Sequence, residues 1–85
     1  MSNRKVTKQL LATYRAIKDA NNWVSVLQIA EDTNLRKGTI NRHVKYLAEK
    51  SAIEVVKELN FFIYRVSDET SEMKEQLERL LTISL

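Results

Sequence analysis

The side chains best suited to chemistry in this chain are basic groups that recur along one helical segment. From Leu35 to Ile53, apolar residues recur at steps of five, four and three and so share one side of a helix: Leu35, Ile40, Val44 and Leu47. Arg42 and Lys45 fall on the opposite side, near Gly38. Guanidinium and ammonium groups bind phosphate, and a guanidinium also pairs with guanine through two hydrogen bonds. The segment therefore predicts a helix from about Arg36 to Lys50 that lies in the major groove of double-stranded DNA.

The side chains of this helix have two predicted roles. Arg42, Asn41 and Thr39 are candidates for base contacts, because Arg pairs with guanine, Asn pairs with adenine, and Thr can contact a thymine methyl group. A bidentate contact is worth about 1 to 3 kcal/mol of discrimination between bases. The candidates for contacts to the DNA backbone are cationic or small: Arg36, Lys37, Gly38, Lys45, Lys57 and Arg65. Each of these residues could instead be an ordinary solvated surface residue.

Other kinds of chemistry lack the residues that they need. The chain has no cysteine, which excludes disulfides, thiol catalysis and thiolate metal sites. His43 is the only histidine, and we expect it to pack beside the second helix rather than to bind a metal. No nucleophile, base and orienting group occur together. We therefore expect no enzyme activity, no cofactor and no small-molecule substrate.

Trp23 and the aromatic residues of the hairpin could stack on bases, but strand spacing favours the protein core. Trp23 and Tyr64 are predicted to be core residues on this basis. Phe61 and Phe62 are adjacent, so the alternation of side chains along a strand should leave one of them exposed.

Charge is unevenly distributed along the chain. Residues 1–67 contain twelve basic and six acidic residues, whereas residues 68–85 contain two basic and five acidic residues. A basic region attracts polyanions such as nucleic acid, and an acidic amphipathic tail is better suited to contact a protein. No apolar run has the length of a signal-peptide core or a membrane span. We therefore expect a cytoplasmic protein, associated with the nucleoid if it is prokaryotic, with no membrane partner.

The spacing of apolar residues predicts four helices, a short strand and a β-hairpin. Asn21 and Asn34 are expected to end helices, and Ser25 with Gln28 has the spacing of a helix-capping box. The predicted elements are a helix over 3–20 with Arg4, Lys5 and Lys8 outside its apolar stripe, a β-prone pair Trp23-Val24, a helix from Val26 to about Thr33, the helix over 36–50, two β-rich runs on either side of a turn at 58–60, and a helix from Asp68.

This order of elements predicts a mainly α, α+β architecture of the winged helix-turn-helix type. Three helices and a hairpin wing form a DNA-binding domain over residues 1–67, and residues 68–85 form a C-terminal amphipathic helix. The length of 85 residues fits one modest core. The last helix could fold back on its own domain, but we favour pairing with a second chain through its apolar stripe: Met73, Leu77, Leu80, Leu81 and Leu85.

The helix over 36–50 resembles the recognition helix of bacterial and archaeal winged-helix repressors of the MarR and ArsR type. The resemblance is carried by the triplet Arg42-His43-Val44, by Leu47, and by Glu49-Lys50 before a strand that opens with Ile53. Over residues 10–66, the order of helices and strands also resembles that of these repressors. The resemblance implies a winged-helix fold, binding of double-stranded DNA, and a homodimer that regulates transcription.

Three features depart from the family pattern. Arg36 stands where relatives often carry a capping Ser, and Ser51 stands where they usually carry Gly, so both ends of the helix are weakly capped by residue type. The turn at 58–60 is short, acidic and apolar, which disfavours insertion into the minor groove.

The leading prediction is a sequence-specific regulator of transcription that binds double-stranded DNA as a homodimer. The alternative is a winged-helix module that binds another protein or belongs to a larger assembly. A third possibility is a binder of left-handed DNA, in which Lys37 and Asn41 occupy matching places. Lys45 stands where that family has Tyr, which weighs against this third possibility.

Overall fold

The order of elements in the structure is that of a winged helix, with one further helix at the end. The computed structural model describes residues 6–83, and these form α1 (Lys8–Ala20), β1 (Val24–Ser25), α2 (Val26–Thr33), α3 (Lys37–Glu49), β2 (Ile53–Lys57), β3 (Phe62–Val66) and α4 (Glu72–Ile83). This confirms the predicted α+β winged-helix class and the presence of a C-terminal helix. None of the described helices is both long and apolar enough to cross a membrane.

Local capping signals define the first two helices. Thr7 caps α1 by accepting a hydrogen bond from the backbone N–H of Leu10 at 3.0 Å, so the helix begins at Lys8 and not at residue 3. The predicted basic residues Arg4 and Lys5 lie outside the described residues. Ser25 caps α2 in the same way, by accepting from the N–H of Gln28 at 3.3 Å, as its spacing predicts.

Two asparagines end these helices. Asn21 and Asn34 have left-handed backbone conformations, with φ of 55° and 64°, which Asn tolerates better than most residues. The sharp reversal at Asn34 leaves only a short connection between α2 and α3, as in a helix-turn-helix.

The core lies between the first three helices and the sheet. The apolar stripe of α3 is buried as predicted, through Ile40, Val44 and Leu47, while Leu35 packs partly buried against the same core. Burial of each such side chain contributes about 1.5 to 3 kcal/mol. This packing fixes which side of α3 is turned away from the protein. The other core residues described are Leu10, Tyr14, Ala16, Ile17, Val24, Ile29, Ala52, Ile53, Tyr64, Met73 and Leu77.

The three strands form an antiparallel sheet in the order β1-β3-β2. The hairpin loop is one residue longer than predicted, because Glu58 donates its backbone N–H to the carbonyl of Phe61 at 2.7 Å and β3 begins only at Phe62. This register places Glu54 opposite Arg65. A change of one residue in the loop shifts every cross-strand pair, so the loop length decides which side chains meet.

The aromatic residues of the hairpin are only partly in the core. Tyr64 is buried, but Phe61 and Phe62 are 52% and 48% exposed. The expectation that one of the two phenylalanines would be buried is wrong, because Phe61 belongs to the loop and no described helix covers the end of the hairpin. Trp23 is half-buried and stacks beneath the guanidinium of Arg65, 4.9 Å from the ring centre.

The last helix packs on α1 of its own chain. It begins at Glu72 rather than near Asp68, because Ser71 accepts a hydrogen bond from the backbone N–H of Lys74 at 3.1 Å. Met73 and Leu77 are buried in the core, and Leu81 packs against it. Met73 and Leu77, which we expected to pair with a second chain, are therefore covered by their own. Leu85 lies outside the described residues.

Polar contacts strengthen this attachment. The hydroxyl of Tyr14 donates to a carboxylate oxygen of Glu78 at 2.6 Å, and the ammonium of Lys18 binds the other oxygen. Burial alone would raise the pKa of Glu78, but the hydrogen bonds from Lys18 and Tyr14 hold it below its usual value. Burial, with the contact to Glu78, raises the pKa of Tyr14 well above its usual value. Lys18 and Tyr14 of α1 thus favour the ionised form of the Glu78 carboxylate on α4.

Candidate nucleic-acid interface

The N-terminal end of α3 offers open backbone donors. Arg36 occupies the capping position in an extended conformation, and its side chain makes no capping hydrogen bond. The first N–H groups of a helix have no partner within the helix, and together with the helix dipole they favour an anion at this end. The weak cap that the sequence predicts therefore leaves this end of α3 open to a phosphate group.

The C-terminal end of α3 is held firmly to the sheet. Ser51 donates its backbone N–H to the carbonyl of Ala48 at 3.1 Å, and Ala52 donates to Leu47 at 2.9 Å. This pair of bonds is a Schellman motif, in which Ser51 takes the left-handed position with φ of 62°. Ala52 is fully buried, so it anchors the end of the helix where β2 begins. The helix is thus fixed at one end and open at the other.

The outward side of α3 carries a stripe of polar and basic groups. Gly38, Asn41, Arg42 and Lys45 are all exposed, and their spacing of three, four and seven residues places them along one face. Thr39 is half-buried at the edge of this stripe, and Arg36 and Lys37 are exposed at its open end. The structure thus brings Gly38, Asn41, Arg42 and Lys45 together on the side away from the core, with Thr39 at its edge.

These side chains form no hydrogen bond or ion pair with residues 6–83. In the described part of the chain, the ion pairs involve the cations Arg15, Lys18 and Arg65, none of which lies on α3. No hydrogen bond between described residues involves the side chains on the outward side of α3: Arg36, Lys37, Thr39, Asn41, Arg42 and Lys45. We call this set, with Gly38, the α3 stripe. Glu49 is exposed on the same face, four residues after Lys45, but it forms no ion pair with a described cation. Cations that are not paired within the protein keep their attraction for an external polyanion.

Gly38 is not required by the backbone of the free protein. Its φ is not positive, and a Cβ atom added at this position would meet nothing within 4 Å. The predicted reason for glycine, a close approach of the helix to a DNA backbone, is therefore compatible with the structure and stays a prediction.

His43 connects α3 to α1 through a hydrogen bond. Its Nδ1 lies 2.7 Å from the hydroxyl oxygen of Thr13. That hydroxyl donates to the carbonyl of Gln9 at 3.1 Å, so the Thr13 oxygen accepts and the Nδ1 of His43 carries the proton. Burial, and then the nearby charge of Arg42, lowers the pKa of His43, which favours the neutral ring. The bond joins α3 to α1 at the residue that follows Arg42.

Arg65 differs from the other predicted backbone contacts. Its guanidinium binds Glu54 at 2.8 Å and Asp68 at 3.4 Å, and it covers the ring of Trp23. The hydrogen bond to Glu54 is the main cause that raises its pKa. Lys57, by contrast, is exposed and has no ion pair with a described residue. The sequence could not reveal the pairing of Arg65, because it depends on the hairpin register.

The described residues contain no group of three His, Cys, Asp or Glu side chains that could hold a metal ion. The contact that the structure shows for His43 is its hydrogen bond to Thr13.

Comparison with known proteins finds similarity in structure but not in sequence. No protein-family model and no curated protein sequence match the chain. A protein of unknown function from Listeria innocua is similar in structure, with a TM-score of 0.71 and 24% identity over 94% of this chain and 56% of its own. Reduced HlyU from Vibrio cholerae has a TM-score of 0.68 and 21% identity, over 91% of this chain and 77% of its own.

BpsR from Bordetella bronchiseptica, whose DNA binding is regulated by 6-hydroxynicotinic acid, is also similar, with a TM-score of 0.69 and 12% identity over 93% of this chain and 60% of its own. This chain spans little more than half the length of BpsR and of the Listeria protein. HlyU is an ArsR/SmtB-type regulator and BpsR is a MarR-type regulator. The chain thus has the small α+β winged-helix fold that these two kinds of regulator share.

Proposed function

We propose that this protein binds double-stranded DNA through the α3 stripe and regulates transcription. The observation that carries the proposal is that the outward side of α3 is exposed and mainly basic, and that its cations form no ion pair with a described acid. Regulators among the structural neighbours support a DNA-binding regulatory role. These neighbours are not enzymes, and we propose no catalytic activity and no cofactor for this chain.

The groups of the α3 stripe have different tasks in this proposal. Arg42, Asn41 and Thr39 read base edges, because they project from the face that enters the groove. The phosphate contacts are made by the open end of α3 and by its exposed lysines: Arg36, Lys37, Gly38 and Lys45. We leave out Lys57, because the exposed Glu58 beside it would repel a phosphate. We leave Arg65 out of this set because its guanidinium is already bound to Glu54 and Asp68.

The proposal also includes a homodimer located in the cytoplasm or on the nucleoid. Two chains related by a two-fold axis would present their α3 helices to successive major grooves, about 34 Å apart, and the target would be a pseudo-palindrome. A second chain also doubles the number of phosphate contacts, which raises both the affinity and its dependence on salt.

Selection of bound oligonucleotides from a random duplex pool, followed by sequencing, tests the proposal. We expect an enriched motif with two related half-sites, and we expect Arg42→Ala to relax the preference at one base pair of each half-site. A pool without an enriched motif would contradict sequence-specific binding.

The second candidate function, a module that binds another protein, is favoured by the acidic and apolar hairpin loop. A gel shift against random duplex separates the two functions, because a protein module should show no affinity for duplex even at about 50 mM salt.

A further inference from the structure

The end of the hairpin is an apolar surface that no described part of the chain covers. Leu59 is 91% exposed, and three neighbouring apolar side chains are between about two fifths and half exposed: Val55, Phe61 and Phe62. Val56 is also exposed, but it lies on the other face of the hairpin. We call Val55, Leu59, Phe61 and Phe62 the hairpin tip. Soluble monomers rarely expose a contiguous apolar patch larger than a few hundred Å². A patch of this kind indicates an interaction site.

The hairpin tip is a continuation of the core side of the sheet. Val55 and Phe62 lie on the same face as the buried residues Ile53 and Tyr64, because side chains alternate along each strand. The loop is closed by the hydrogen bond from Glu58 to Phe61, so the tip is a formed surface before any partner arrives. The core face thus extends beyond the helices and ends in solvent.

The charges beside the tip argue against DNA as its occupant. Lys57 and Glu58 are adjacent and exposed, and the described part of the chain gives neither of them an ion pair. A phosphate would be attracted by Lys57 but repelled by Glu58, so the tip has no net attraction for a polyanion. One cation beside one anion is instead complementary to the same pair on a second copy of the chain. A two-fold axis can place the cation of each copy opposite the anion of the other.

The alternative surface for pairing is largely used within the chain. Met73 and Leu77 of α4 are buried against α1, and Leu81 packs on the core. Two hairpin tips facing each other would form a small interface, because each contributes four apolar side chains, and small interfaces are typical of weak complexes. The tip is therefore the better candidate for a dimer surface, and a dimer of this size should be weak.

We propose that the hairpin tip binds the hairpin tip of a second copy of this chain, with Lys57 of each protomer facing Glu58 of the other. This inference does not require DNA binding, since the dimer forms through residues outside α3. It replaces α4 by the hairpin as the element that joins two protomers.

Sedimentation equilibrium of the full chain without DNA, from about 1 µM to about 1 mM, tests the proposal. We expect the wild-type mass to rise from 9.9 kDa towards twice that value. Leu59→Ser should raise the dissociation constant at least tenfold. Ile83→Ser is the matched control, because Ile83 is also exposed, at 72%, but lies on α4. Circular dichroism verifies that both variants are folded.

Charge exchange gives a second test that loss of folding cannot imitate. Lys57→Glu and Glu58→Lys each place like charges across the two-fold axis, so each variant alone should dimerise at least tenfold more weakly than the wild type. An equimolar mixture of the two variants restores both attractions and should form a heterodimer.

Three outcomes would overturn the proposal. A wild-type protein that stays monomeric at about 1 mM would assign the tip to another protein. A dimer that is weakened by Ile83→Ser but not by Leu59→Ser would return the interface to α4. A mixture that associates no better than its two components would exclude the Lys57–Glu58 pairing.

Discussion

Removal of the Lys45 charge should change the salt dependence of DNA binding by a predictable amount. Lys45 is exposed, lies on the α3 stripe and has no ion pair with a described residue, so Lys45→Ala should leave the free energy of unfolding within about 0.5 kcal/mol of the wild type. Each phosphate contact contributes about 0.9 to the slope of log affinity against log salt. The slope of the variant should therefore be shallower by about 0.9 per bound chain.

The size of this effect is measurable. Over a change from about 50 to about 200 mM salt, a loss of about 0.9 in slope corresponds to roughly a 3.5-fold smaller loss of affinity per chain. Fluorescence anisotropy with a labelled duplex gives both slopes. Arg15→Ala is the control, because Arg15 carries the same charge on α1 and is already paired with Asp19 at 3.5 Å. Equal slopes for Lys45→Ala and the wild type, or an equal decrease for Arg15→Ala, would refute the assignment.

Four further predictions concern stability and pH. Gly38→Ala should raise the free energy of unfolding by about 0.5 to 1 kcal/mol in urea denaturation yet weaken DNA binding, since its Cβ meets nothing in the free protein; unchanged affinity would contradict close approach to the DNA backbone. Ser51→Gly should raise the free energy of unfolding by roughly 1 kcal/mol, because Ser51 has φ of 62°, a left-handed conformation that is strained for residues with a Cβ atom. A lower free energy of unfolding would exclude strain at this position. Leu77→Ala should lower the free energy of unfolding by about 2 to 5 kcal/mol, because Leu77 is buried, whereas Ile83→Ala should lower it by less than about 0.5 kcal/mol, because Ile83 is exposed. Similar decreases for the two variants would show that α4 is not packed as described. Burial lowers the pKa of His43, so as the pH decreases the unfolded chain binds a proton at His43 before the folded chain does. The free energy of unfolding should therefore fall as the pH decreases below about 6.5, and His43→Gln should lack this part of the decrease. Parallel pH profiles for the variant and the wild type would disprove the prediction.

Local signals in the sequence predict the helix-turn-helix well. Ser25 with Gln28 locates the start of α2, and Asn34 locates its end, because capping depends on residues within one turn of the helix. The apolar spacing of α3 likewise predicts which side is buried, and therefore which side can meet DNA. The identity of the α3 stripe could thus be predicted from the sequence alone.

Contacts between distant residues could not be predicted in the same way. The apolar stripe of α4 indicates that one face is covered but not by what, and the bond from Tyr14 to Glu78 joins residues 64 positions apart. His43 meets Thr13 across 30 positions. The pairing of Arg65 with Glu54 depends on a loop of four residues, where the sequence indicated three. Each of these contacts follows from packing and register rather than from local spacing.

The most direct test of the central claim is a titration of the isotope-labelled protein with duplex DNA, followed by amide chemical shifts in NMR spectra. The account predicts the largest shifts for the α3 stripe, at Gly38, Asn41, Arg42 and Lys45, with small shifts along α4. Largest shifts on α4 or at the hairpin tip, or no shifts at about 50 mM salt, would contradict it.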